Sequence, residues 1–289
     1  MDRISLLAPA LLLLATMSIA LVVYCGLCAA GRAPKIQGAK HNQILGPFLA
    51  RYIVWLIGPL ERLLVGRVSP NVITALSLAM CAWAGVEAGF GAFGGAAWSF
   101  ALAGIFDVLD GRIARLANRQ TKSGALFDSV SDRWGELFAF SGYAWYLRDT
   151  PWMLAVMGAI GSSMMVSYTR ARAEGLGLEL SGGMMQRAER ILLVTVGSFC
   201  AAWFAADPET AWLTAPILGG TMAVCAVAST ATAVSRWVIA FRELARREAA
   251  VEQAALAALA GAAAQPQPAS HYKAPAIPAK LRESAELGL

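Results

Sequence analysis

Asp107-Val-Leu-Asp110-Gly111-Arg-Ile-Ala114-Arg115, then eight residues, Gly124, three residues, Asp128, three more and Asp132: this stretch decides how the chain is read. It joins two apolar runs, Ala96 to Leu116 and Ala125 to Leu147, each long enough to cross a bilayer. A carboxylate placed mid-bilayer costs about 2.5–3.5 kcal/mol, so four of them near the ends of two spans must be neutralised by something. Asp107 and Asp110 stand at i, i+3, and Asp128 and Asp132 at i, i+4, so each pair faces one way from its helix. A short turn connects the two helices, which predicts antiparallel neighbours whose acidic pairs converge. Converging carboxylates are a set of hard oxygen ligands, and their combined charge is balanced by two divalent ions of the Mg²⁺, Mn²⁺ or Ca²⁺ kind. Helix-end salt bridges to Arg112, Arg115 and Arg133 are the other reading of the same acids.

The rest of the chain agrees with a membrane setting. Of 289 residues, 57% are hydrophobic and 15% charged, against about 25% charged in a soluble domain. Mean hydropathy is +0.55. This excludes a nucleic-acid-binding module, a disordered chain and a disulfide-stapled secreted domain. The net charge of +5 reflects basic loops that fix orientation. Cys25 and Cys28 have the CxxC spacing of metal and redox sites, but sit in an apolar run without further candidate ligands. His41 and His271 lie in polar or Pro-rich surroundings and carry no argument.

Spanning segments are expected at Ile4 to Ala30, Pro70 to Gly89, Ala96 to Leu116, Ala125 to Leu147, Trp152 to Tyr168, Ile191 to Ala206 and Trp212 to Phe241. A cleaved signal peptide competes for the first, but its start has no net positive charge and no clear cleavage site follows. Leu45 to Leu64 is apolar on one side at helical spacing and carries Arg51, Glu61, Arg62 and two prolines, which suits an amphipathic helix in the interface. Loops with Arg115, Arg119 and Lys122, then Arg170 to Arg190, then Arg242 to Arg247, alternate with uncharged, mixed or acidic ones. By the positive-inside pattern the basic loops are cytoplasmic. The expected fold is an all-α polytopic bundle: a six-span core, the interfacial helix and one extra N-terminal span. Its divisions are 1–42 (extra span and basic linker), 43–247 (core) and 248–289 (Ala/Pro-rich tail, helical and then without a packed core).

All eight fixed positions of the 107–132 run are present in the signature D-x2-D-G-x2-A-R-x8-G-x3-D-x3-D, and the run resembles that of the CDP-alcohol phosphotransferase family. The resemblance implies a transferase with Asp107, Asp110 and Asp128 as metal ligands. Asp132 would be the base that deprotonates the attacking hydroxyl, near the second of two Mg²⁺ or Mn²⁺ ions. Gly111 and Ala114 lack bulk where a nucleotide approaches the backbone, Gly124 permits tight packing at the start of the second helix, and Arg115 offers donors suited to phosphate. Ser69-Pro70-Asn71-Val-Ile-Thr74 is similar to the family's P-N-x-x-T element, which places Asn71 and Thr74 near the nucleotide; Ser69 and Pro70 also read as an ordinary helix start.

The acceptor is read elsewhere. Ser167-Tyr-Thr-Arg170-Ala-Arg172-Ala-Glu174 and Gly182-Gly-Met-Met-Gln-Arg187-Ala-Glu189-Arg190 are similar to the bacterial phosphatidylinositol-phosphate synthases within that family. There the matching basic residues, Arg170, Arg190 and Arg236, bind the acceptor phosphate. Arg236 interrupts an apolar run and is costly unless an anion or the bundle interior receives it. Arg187 fits either an acceptor or an orienting role.

The resemblance therefore implies transfer from CDP-diacylglycerol to inositol 1-phosphate, a multi-pass protein of the cell's inner membrane with a cytoplasmic site, surrounding lipids as partners, and a homodimer. Alternatives are glycerol 3-phosphate as acceptor, a CDP-inositol-dependent variant, or a cation transporter or channel whose carboxylates hold ions in transit. The last is disfavoured because no second copy of the acidic pair is present.

Overall fold

The computed structural model describes residues 3–32, 46–180 and 182–264, and among them every regular element is a helix. In chain order these are α1 (Arg3–Ala29), α2 (Gly46–Leu64), α3 (Pro70–Gly89), α4 (Phe93–Leu116), α5 (Lys122–Tyr146), α6 (Met153–Gly175), α7 (Arg187–Ala205), one 3₁₀ turn (Ala211–Leu213) and α8 (Thr214–Ala264). The chain divides into two compact units, Met1–Ala240 and Phe241–Leu289. The described part of the second is the C-terminal portion of α8, where Glu243 pairs with Arg246 and Arg247 one turn on. His41, His271 and the Pro-rich stretch lie outside the described residues.

Helix limits follow local chemistry. Pro70 stands at the start of α3, where its missing N–H is not needed; Ser69 holds the cap position with extended backbone, but its side chain makes no capping bond. Thr121 caps α5 properly, accepting from the Gly124 N–H at 3.0 Å. The helix α6 runs past Tyr168 because no breaker intervenes before Gly175, and Gly177 then turns the chain with φ +76°. The helix α8 continues far beyond Phe241 for the same reason: no glycine or proline lies between Gly220 and Gly261.

Pro70–Gly89, Phe93–Leu116, Arg187–Ala205 and Ala211–Leu259 are long and apolar enough to cross a membrane by length and composition. Averaged hydropathy under-reads α5, whose acids Asp128, Asp132 and Glu136 are half-buried or buried. Ser131 and Glu136 are buried, whereas Leu126, Val130, Trp134 and Trp145 are exposed. Polar groups inside and large apolar side chains outside are the arrangement of a helix solvated by lipid. The protein is a multi-pass membrane helix bundle.

The helix α3 organises the site by packing against both α4 and α5. Its approach to α5 is a backbone contact: a Cβ on Gly142 would fall 1.9 Å from the Gly85 carbonyl oxygen, and one on Gly85 would fall 2.2 Å from that of Phe138. Small residues permit such contacts between spanning helices. The expected neighbours α4 and α5 meet through side chains, while α3 makes the closer backbone approach to each. Residues 117–121 join them directly, with Asn118 in the left-handed region at φ +50°, and Phe93 and Phe100 of α4 meet Tyr146 and Phe140 of α5 at ring-centroid distances of 4.7 and 6.3 Å. Both lean on α3, and acidic side chains near the 117–121 turn reach across between them.

Outside this core, Tyr24 of α1 is buried among the rings of Phe48, Tyr52 and Trp55 of α2 at centroid distances of 5.4–5.7 Å. The Tyr52 hydroxyl donates to the Met17 carbonyl at 2.5 Å, and Glu61 of α2 receives Arg112 of α4 through two bonds of 2.5 and 3.2 Å.

Candidate active site

The start of α3, the end of α4, the 117–121 turn and the start of α5 line an open cleft of about 170 Å³. Asn71 and Thr74 line it from α3, and Asp110, Gly111, Ala114 and Arg115 from α4. Gly124 and Asp128 line it from α5. Arg119, Gln120 and Thr121 of the turn complete the wall; the sequence reading assigned them no binding role, although their place inside the acidic run is a signal for one. A Cβ on Gly124 would stand 3.0 Å from Thr121 Oγ1 and 3.4 Å from Asn71 Oδ1, so glycine here lets α5 start tight against α3. Around Gly111 the nearest group is Arg115 Nη1, 3.5 Å from such a Cβ. The protein alone does not demand a glycine there, and the bare backbone is cleft surface.

Three acids converge. Asp107, Asp110 and Asp128 each present one oxygen within 4.8 Å of the others, and Asp110 is buried. Thr74 fixes Asp110 by donating its hydroxyl proton to Oδ2 at 2.5 Å. Three hard oxygens from two helices fit a divalent ion of the Mg²⁺ or Mn²⁺ kind. Asp132, one turn further along α5, is outside that triad. Its Oδ1 lies 2.8 Å from Nη1 of Arg187, which also pairs with Asp107. Of the arginines that the alternative reading named, Arg112 is committed to Glu61 and Arg133 folds back on the carbonyl and hydroxyl oxygens of Ser129, while Arg115 lines the cleft. The cation that meets the acids comes from α7, distant in sequence.

The three arginines expected to bind an acceptor are differently engaged. Arg190 is buried against Glu136 with bonds of 2.9, 2.7 and 3.0 Å, and its Nη1 donates to the Met185 carbonyl at 3.0 Å. Arg236 donates to the Gly182 carbonyl at 3.1 and 2.6 Å and to that of Val166 at 3.0 Å. Both therefore fasten the segment before α7 to the bundle, helped by Met185 N–H donating to Thr232 Oγ1 at 3.1 Å. Arg170 is half exposed, in a 2.8 Å pair with Glu174. Arg236 lies within electrostatic reach of Arg170, Arg190 and Glu174.

The sequence model described as CDP-alcohol phosphatidyltransferase matches residues 67–234, more than half of the chain. The chain belongs to the CDP-alcohol phosphatidyltransferase family. Its family core begins just ahead of α3 and ends two residues before Arg236, so α1 and α2 lie outside it. The chain is similar to the phosphatidylinositol phosphate synthase of Mycobacterium tuberculosis (strain ATCC 25618 / H37Rv), with 36% identity over 143 residues, 48% of this chain and 62% of that protein. That share is less than two thirds of the relative's length. The crystal structure of the M. tuberculosis phosphatidylinositol phosphate synthase with CDP-DAG bound superposes with a TM-score of 0.56 at 30% identity, over 65% of this chain and 94% of that one. The same synthase in complex with manganese and citrate gives 0.55 at 31% identity, over 63% and 88%. The fold thus has a counterpart that was solved with manganese.

Proposed function

We propose that the protein transfers a phosphatidyl group from CDP-diacylglycerol to a hydroxyl of inositol 1-phosphate and releases CMP. The observation that carries this reading is the meeting of Asp107, Asp110 and Asp128 at a cleft lined by the signature residues of three elements. The similarity to synthases of phosphatidylinositol phosphate supports the choice of donor and acceptor.

Asn71, Gly111, Ala114, Arg115 and Gly124 would receive the cytidine diphosphate portion, with Thr74 holding Asp110 in place for it. Asp107, Asp110, Asp128 and Asp132 would hold two Mg²⁺ or Mn²⁺ ions. When bound, such ions neutralise the pyrophosphate and stabilise the attacking and leaving oxygens of an in-line displacement. Asp132 takes the proton of the acceptor hydroxyl as its oxygen bonds to the phosphorus carrying the diacylglycerol; the bond from that phosphorus to the CMP oxygen breaks, and CMP departs. Arg170, with its guanidinium at the surface, is the member of the acceptor trio best placed to exchange Glu174 for a phosphate; Arg190 and Arg236 contribute field and a rigid backbone. The pattern of basic loops supports a site on the cytoplasmic face of the inner membrane, with the lipid donor entering sideways from the bilayer. Family resemblance adds a homodimer.

CMP release is the test. Purified protein with Mn²⁺, CDP-diacylglycerol and single acceptors should release CMP with inositol 1-phosphate. Release only with glycerol 3-phosphate would replace the acceptor, and no release with any alcohol would end the reading.

A further inference from the structure

Arg187, the first residue of α7, stands inside the acidic cluster. Its Nη1 lies 2.8 Å from Asp132 Oδ1, its pair with Asp107 uses the same nitrogen, and its side chain is 15% exposed. The remaining acid within its electrostatic reach, Glu136, is engaged by Arg190. Arg187 thus joins Asp107 of the converging triad to Asp132, the proposed base on α5.

A guanidinium and a divalent ion seek the same carboxylate oxygens. Once an ion takes those of Asp107 and Asp132, a largely buried arginine has lost its counter-charges, and a cation is costly to leave so. It must find another anion, and a phosphate suits the guanidinium fork. We propose that Arg187 is the internal counter-cation of the cluster: a divalent ion displaces it from Asp107 and Asp132, and the released guanidinium binds the acceptor's phosphate. Metal loading and acceptor binding then strengthen each other, and by linkage the effect is reciprocal. The inference rests on the metal site of the proposed function but adds an order to it: an acceptor phosphate binds well only to protein that has taken up metal.

The experiment is Mn²⁺ binding to the full-length protein in detergent, followed by the electron paramagnetic resonance of free Mn²⁺, with and without inositol 1-phosphate. In the wild type the acceptor should tighten Mn²⁺ binding by about fivefold or more, the lower end of ordinary coupling. R187Q should bind Mn²⁺ about tenfold more tightly than wild type without acceptor, a change of about one charge contact, and should lose the acceptor's effect. R187K, which keeps the charge, should retain both behaviours in weaker form. An acceptor that leaves wild-type Mn²⁺ affinity unchanged overturns the proposal without recourse to any variant. So does R187Q with wild-type Mn²⁺ affinity and an intact acceptor effect. D110N separates the two levels: loss of Mn²⁺ binding supports the metal site, whereas D110N binding Mn²⁺ like wild type removes the site and this inference together.

Discussion

Arg190 of α7 and Glu136 of α5 form a buried, forked ion pair, with one guanidinium nitrogen 2.7 and 3.0 Å from the two carboxylate oxygens. Removing one member of such a pair strands the other as a buried charge, which costs about 3–5 kcal/mol. Arg190→Ala and Glu136→Ala should each lower the unfolding midpoint in detergent strongly, and the double variant should lose less than the two single losses added together. Additive losses in that cycle would show that the pair is not the unit of stability.

Arg170 is the contrasting case. An exposed i, i+4 pair such as Arg170 with Glu174 contributes at most about 1 kcal/mol. Arg170→Ala should leave the unfolding midpoint within error of wild type while raising the KM for inositol 1-phosphate about tenfold, a change of one lost phosphate contact. The KM for CDP-diacylglycerol should stay put. Equal rises in both would place Arg170 outside the acceptor site.

Thr74 orients a carboxylate of the triad through a 2.5 Å bond. Hydrogen bonds to charged groups contribute about 1.5–3 kcal/mol, so Thr74→Val should shift the Mn²⁺ concentration for half-maximal activity upward by about tenfold or more. Thr74→Ser should recover most of the loss. An unchanged metal titration for the valine variant would contradict the positioning role.

Backbone contact between α3 and α5 predicts a sharp position dependence for glycine replacement. Gly142→Ala places a methyl group 1.9 Å from a carbonyl oxygen and should abolish folded, dispersed protein. Gly161→Ala in α6 meets no atom within 4 Å and should be neutral or stabilising by up to about 1 kcal/mol from helix propensity. Size-exclusion profiles and unfolding midpoints of the two variants distinguish them.

What was legible in the sequence was local. Pro70, Gly89 and Leu116 mark helix limits where the structure has them, because proline, glycine and the end of an apolar run act on their immediate neighbours. The signature residues found their cleft because they are spaced along two helices and one turn. The partners of charges were not legible. Glu61 for Arg112, Glu136 for Arg190 and Asp107 for Arg187 are joined across 50 or more residues, by packing that periodicity does not encode. The short 117–121 turn pointed to α4 and α5 as neighbours, and their side chains do meet, but Gly85 and Gly142 let α3 make the closer backbone approach to α5. A glycine pair of that kind reads in sequence only as two more small residues among many.

The most direct test of the account is the identity of the lipid product. Purified protein is given Mn²⁺, CDP-diacylglycerol and equal amounts of inositol 1-phosphate and glycerol 3-phosphate, and the new lipid is weighed by mass spectrometry. Phosphatidylinositol phosphate should form in step with CMP and be lost in Asp132→Asn while that variant still binds the cytidine nucleotide. No new lipid, or phosphatidylglycerol phosphate alone, would contradict it.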